Sequence, residues 1–156
     1  MSNEIHSVDI SVIFKLEGGE LLEIKWDDEF HCFGVGFEKI PKIMPEGRKV
    51  INVSKNQNWS KLLDKRLTGI RVLWENNEGT VTTYSGDDII KTENRIYKLP
   101  QTWELEFEGE KVWISALEIR EEESIIFWAD HLSVIFTKQE QEKYELVKKA
   151  DIKHCI

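Results

Sequence analysis

The sequence predicts a mainly β (α+β) fold: antiparallel, hairpin-built sheets forming a sandwich or a partly open barrel, with a short mid-chain helix and a C-terminal helix. Three observations carry this. In the stretch from Gln101 to Ile119, Trp103, Leu105 and Phe107 alternate with Glu104, Glu106 and Glu108, the period of a strand with one apolar and one acidic face. Val8, Ile10, Val12, Phe14 and Leu16 alternate in the same way, and Leu22, Ile24 and Trp26 do so again after Gly18-Gly19. Capped helical patterns occur around Trp59–Leu67 and from Thr137.

Taken in order, residues 8–16 and 22–26 form a first hairpin. A three-residue loop, Gly18 to Glu20, sets Leu16 against Leu22 and Val12 against Trp26. Phe33, Val35 and Phe37 make a third strand, with Gly34 and Gly36 between them marking a bend or a close approach. Pro41, Pro45 and Gly47 mark a loop leading to a short strand, Val50 to Val53. Asn58 caps a short helix with Trp59, Leu62, Leu63 and Leu67 on one face, and Gly69 ends it. Ile70 to Trp74 is a strand, Asn76 to Gly79 a turn, Thr80 to Tyr84 the return, and Ser85 to Asp88 another turn. Ile89-Ile90 and Ile96 to Leu99 are short strands about the polar tip Lys91 to Asn94.

In the Gln101–Ile119 hairpin a Gly109-Glu110 turn pairs Phe107 with Val112, Leu105 with Ile114 and Trp103 with Ala116. Val112 to Ile119 is apolar on both faces toward its end, as a central strand is. Ile125 to Phe136 mixes helical spacing with β-branched and aromatic content; the expectation is a strand broken near Asp130. Thr137 and Glu140 form a T-x-x-E capping box, opening a helix that runs to about Ala150, and the tail Asp151 to Ile156 frays or packs loosely.

The 156 residues suit a single domain, 1–156, of a size that buries a core without disulfide or metal. The net charge of −8 opposes nucleic-acid phosphates and anionic lipid, so neither nucleic acid nor membrane is an expected partner, and a basic protein is. The N-terminal MSNEIHSVDI has no basic region or long apolar core. No apolar run approaches the ~18 residues of a membrane span. The expected location is cytoplasmic, with Cys32 and Cys155 as free thiols.

No catalytic motif emerges. His6, His31, His131 and His154 lie at no metal-ligand spacing, so no metal and no cofactor is expected. Asp130-His131 with Ser133 has the residue types of a hydrolase, without a G-x-S-x-G turn. A polar kink in a buried strand explains these residues better. An enzyme is thus the least favoured class, and no catalytic residue is assigned.

The leading expectation is a non-catalytic protein-binding module. The acidic face Glu104, Glu106 and Glu108 would steer a basic toxin or enzyme, and an exposed Trp113 would anchor it. In composition the chain is similar to bacterial immunity or inhibitor proteins, a likeness that rests on no particular motif. The alternative is a small-ligand carrier with a cavity lined by Phe33, Val35 and Phe37.

Overall fold

The structure, a computed structural model, describes residues 4–27, 34–44, 47, 49–119, 125–144 and 151–153. Its strands are β1 (Ile5–Val8), β2 (Ser11–Lys15), β3 (Leu21–Asp27), β4 (Gly34–Ile40), β5 (Leu67–Ser85), β6 (Asp88–Phe107), β7 (Glu110–Ile119), β8 (Ile125–Ile135) and β9 (Asp151–Lys153). Two short helices, α1 (Gln57–Ser60) and α2 (Lys138–Lys143), complete it. Six strands form one antiparallel sheet in the order β1-β8-β7-β6-β5-β9, and β2-β3-β4 form a second. The mainly β, antiparallel α+β class read from the sequence is the class observed.

Val12, Ile24 and Val35 of the small sheet pack with Leu105, Val112, Ile114, Ala116, Leu132 and Val134 of the large one, and Trp59 and Leu62 join them. A second apolar cluster gathers Ile5, Trp113, Leu117, Ile119, Ile135 and Tyr144. Successive residues of a strand face opposite ways, so β7 is buried on both faces, as its apolar run requires. No described strand pairing links the two sheets, which therefore stack as layers. Among the described residues no helix is long and apolar enough to cross a membrane.

Several elements differ from expectation, each for a local reason. The first alternating run is two strands: at Asp9-Ile10 the chain leaves the large sheet (β1 against β8) for the small one (β2 against β3). In the first hairpin Val12 pairs with Ile24 and Phe14 with Leu22, because the loop is Glu17–Gly19. Gly18 and Gly19 there have φ of 86° and 88°, which suit glycine. The β6–β7 turn is Glu108-Gly109, with φ of 21° and 91°, and Leu105 pairs with Val112. A tight hairpin of this hand wants positive φ at both central residues, so the glycine takes the second place. Both registers move by two residues relative to expectation, which leaves every side chain on its expected face.

The turn expected at Asn76–Gly79 and the polar tip at Lys91–Asn94 do not form. Pairing continues through both, with Glu78 against Ile96 and Thr82 against Thr92, up to a single turn at Gly86-Asp87. Val50–Val53 is not a strand. Helix α1 is one turn, capped by Asn56 and not Asn58; Leu63 is exposed, and Gly69 lies within β5. Ile125–Ile135 is a strand, and its pairing with β7 jumps from Leu132 to Phe127, across Asp130. Thr137 caps α2, its hydroxyl accepting from the Glu140 amide at 3.3 Å. The expected continuation to Ala150 lies outside the described residues. Asp151–Lys153 of the tail pairs with Val72–Trp74 instead of fraying.

Glu108 holds a backbone conformation unusual for a residue with a Cβ. Glu108→Asn creates the Asn-Gly pair such turns favour and is expected to stabilise the fold by about 0.5 kcal/mol. Urea denaturation should show a raised midpoint with unchanged slope; a lowered midpoint contradicts the turn assignment.

Candidate functional site

The acidic face is not evenly exposed. Glu104 is only 6% exposed. Its carboxylate accepts from Arg71 Nη2 at 2.5 Å, Lys111 Nζ at 2.9 Å and Trp113 Nε1 at 2.9 Å. Register explains the gathering: Glu104 lies directly between Arg71 on β5 and Trp113 on β7. Burial is the largest single influence on this carboxyl and pushes its pKa up. The hydrogen bonds from Lys111, Arg71 and Trp113 together outweigh it and hold the pKa below the ordinary carboxylate value. Glu106 is partly exposed, 3.5 Å from Lys111, and Glu108 is exposed, 3.5 Å from Arg66. Every acid of the expected stripe thus has a cation beside it. Trp113, expected as an exposed anchor, is buried in the second apolar cluster at 4% exposure.

Of the expected cavity residues, Val35 and Phe37 differ in environment. Phe33 lies outside the described residues. Val35 is buried in the core between the sheets, and Phe37 is exposed, its ring 5.1 Å from that of Trp103. The glycine reading holds at one position: a Cβ on Gly36 would stand 2.6 Å from Asp27 Oδ2 and 3.1 Å from its Cβ. Gly36 therefore serves close packing against β3.

Among the histidines, His6 accepts from Trp59 Nε1 at 2.7 Å through Nδ1, and burial lowers its pKa. It ties β1 to α1 as a neutral ring. His131 does not use Ser133, which is buried and donates to the Leu117 carbonyl at 2.7 Å. The Asp130 side chain lies outside the described residues. His131 instead meets Ser7 through Nε2, and its Nδ1 is 3.6 Å from Asp9 Oδ1. These are the residue types of a nucleophile, base and orienting acid. The Asp9 side chain, however, is 93% exposed and beyond hydrogen-bond length, so it is solvated and does not fix the imidazole. Ser7 lies in the regular edge strand β1, not on a strained turn. The contact reads as a fastening of β1 to β8.

What the structure does present is an arm. The β6–β7 ladder ends at Thr102 against Ser115. Beyond it the Gln101 side chain replaces the backbone: Nε2 donates to the Ala116 carbonyl at 2.5 Å and to Ser115 Oγ at 3.2 Å. The β5–β6 register slips between Leu73 and Trp74, which leaves Gln101 as the extra residue, and Trp74 pairs with Pro100. From there β5 and β6 continue as a two-stranded ribbon. Trp74–Ser85 and Asp88–Pro100, at ~3.3 Å per residue, make it roughly 40 Å long.

Tyr84, Ile89, Ile90 and Ile96 on this arm are 60–69% exposed. One face carries Thr80, Thr82, Thr92 and Asn94. The other carries Lys91, Glu93 and Arg95, where Glu93 meets both cations and Arg95 Nε lies 2.5 Å from it. Among the described residues, no strand pairs with β6 between Asp88 and Gln101 on the side away from β5. Two turn-like segments, Asn76–Gly79 and Lys91–Asn94, hide the arm in the sequence. The β-branched run Thr80–Thr83 and the proline-free stretch 88–99 were the available signals.

No family model, no curated protein sequence and no solved structure matches this chain.

Glu104→Gln keeps shape but removes the charge that Arg71 and Lys111 share. It is expected to cost about 1–3 kcal/mol near neutral pH. Because the folded pKa is depressed, this stabilisation is full above the unfolded value of about 4.3 and lost as pH falls through the folded pKa. Urea unfolding of both proteins should show the difference closing in acid. A difference that stays constant from about pH 7 to about pH 3 contradicts the assignment.

Proposed function

We propose that this chain is a non-catalytic protein-binding module and that the β5–β6 arm, not the acidic strand face, is its docking element. The observation that supports it is the exposed ribbon, along which no strand among the described residues pairs with β6 between Asp88 and Ile96 on the side away from β5. Unpaired strand edges recruit another strand, since each N–H and C=O gains a partner on docking. A solvated two-stranded ribbon is marginal by itself, and a third strand stabilises it. The exposed Tyr84, Ile89, Ile90 and Ile96 supply apolar area beside that edge.

The −8 net charge favours encounter with a basic protein, such as the toxin or enzyme of an immunity pair, through long-range attraction. It acts over the whole surface. The arm itself carries only a small part of that charge, with Glu75, Glu78, Asp87, Asp88 and Glu93 against Lys91, Arg95 and Lys98. Docking at the arm therefore rests on strand pairing and apolar contact more than on charge.

Capture from host lysate tests this with three tagged proteins: wild type, Ile89→Lys/Ile96→Lys, and Glu106→Gln/Glu108→Gln. The arm variant is expected to lose the wild-type partner and the carboxylate variant to keep it. The reverse pattern returns the docking role to the acidic face and overturns the proposal.

A further inference from the structure

His6 on β1 and Trp59 on α1 share a hydrogen bond that exists only while the imidazole is neutral. We propose that this contact is an acid-released latch: protonation of His6 unties α1 from β1 and leaves the two sheets in place. The device is separate from the arm and from whatever docks there.

The chemistry of the two rings fixes the proton. An indole N–H donates and cannot accept, so Nδ1 of His6, 2.7 Å from Trp59 Nε1, presents a lone pair. An imidazolium carries hydrogen on both nitrogens, so no turn of the protonated ring offers Trp59 an acceptor. Two donors then face each other. Trp59 is 7% exposed, so water does not replace the lost partner while the side chain stays in place. Its N–H regains a partner by moving out to solvent, and α1 moves with it.

Helix α1 has little of its own to resist this. It is one turn, too short to hold its shape alone. Trp59 ties it down, packing on Phe14 of β2 and on Phe136, with ring centres 6.1 Å and 5.0 Å away. His6 joins the same group of rings, 5.2 Å from Phe136. Outward movement of Trp59 therefore uncovers Phe14 and Phe136.

The neighbouring charges do not hold the latch shut. Helix α1 has no acid in its first turn and no base in its last, and Lys61 beyond it donates to Asn58 Oδ1 at 3.4 Å. Before β1, Glu4 accepts from the Thr137 hydroxyl at 3.3 Å. After β1, Asp9 lies beside His131, whose ring meets Ser7 on the opposite face of the strand. Lys15 of β2 lies on the face away from Phe14. On α2, Lys138 pairs with Glu142, Lys143 lies over Tyr144, and Glu140 bonds the Thr137 hydroxyl through its amide. Burial lowers the pKa of His6, and no charged group among the described residues raises it. The latch is thus fully closed above the ordinary histidine value of about 6.5 and opens as pH falls through the lower folded value.

Nitrogen-15 NMR of the full chain from about pH 8 to about pH 5 tests this. The Trp59 indole signal is identified by its absence in Trp59→Phe. In wild type it is expected to shift with a midpoint below about 6.5. The Ser60 and Leu62 amides bond the Asn56 and Trp59 carbonyls at 2.8 Å and 3.0 Å. Their protection from exchange, corrected for the intrinsic pH dependence, should fall about tenfold over the same range while β7 keeps its own. His6→Gln supplies an acceptor that does not titrate, and should hold both signals constant. His131→Asn should leave the wild-type transition in place.

An indole signal that does not move, or that moves with the same midpoint in His6→Gln, overturns the latch. An indole shift with unchanged Ser60 and Leu62 protection overturns the release of α1. A transition lost in His131→Asn overturns the role of His6. If His6→Gln does not fold, the His6 ring signals of the wild type decide: a midpoint shared with the Trp59 indole supports the latch, and a different one overturns it.

Discussion

At Gln101 strand β6 parts from β7, and two different environments follow on the two sides of that point. Below it, from Thr102 to Phe107, β6 is held between β5 and β7 and contributes Leu105 and Phe107 to the core. Above it, among the described residues, β6 pairs with β5 alone. The parting is fixed by side chains. Gln101 donates to the Ala116 carbonyl, Thr102 and Ser115 exchange a hydrogen bond of 2.8 Å, and Ser133 satisfies the Leu117 carbonyl. All four side chains are buried, so these contacts satisfy polar groups that the ladder would otherwise have paired. Pro100, with no N–H to donate, comes just where the ladder stops.

The same strand decides the electrostatics. Glu104 is the one acid of its face drawn fully inside, because the register sets it between Arg71 and Trp113 with Lys111 in reach. A buried carboxylate is tolerated only when its charge is balanced and its lone pairs are filled, and here three donors do both. This converts a residue that looks like surface into one that fastens β5, β6 and β7 together. The charges left outside, on the arm, are arranged in alternating sign along one face.

Much of the fold was legible because period-two alternation is a direct consequence of strand geometry: Val12, Ile24, Leu105 and Val112 all lie on the faces their patterns assign. The Thr137 cap was equally plain, since its hydroxyl and spacing have one structural use. Registers slipped by two residues because sequence does not say which positions of a glycine turn take positive φ. The arm was not legible, because Asn76–Gly79 and Lys91–Asn94 carry turn chemistry that cross-strand pairing overrides. The burial of Glu104 and Trp113 was not legible for a related reason. Alternation separates two faces and does not say which one water reaches, so it does not reveal that a second apolar cluster encloses Trp113 and that three donors enclose Glu104.

The central claim is that the arm's backbone edge is the surface this protein offers to a partner. Amide hydrogen exchange of the wild-type chain in dilute solution tests it directly. In dilute protein, alternate amides between Ile89 and Lys98 should exchange far faster than those of β7, since their N–H groups face water. Exchange along Ile89–Lys98 that is slow and uniform in dilute protein would contradict the account, because it would mean that the edge is already covered within one chain.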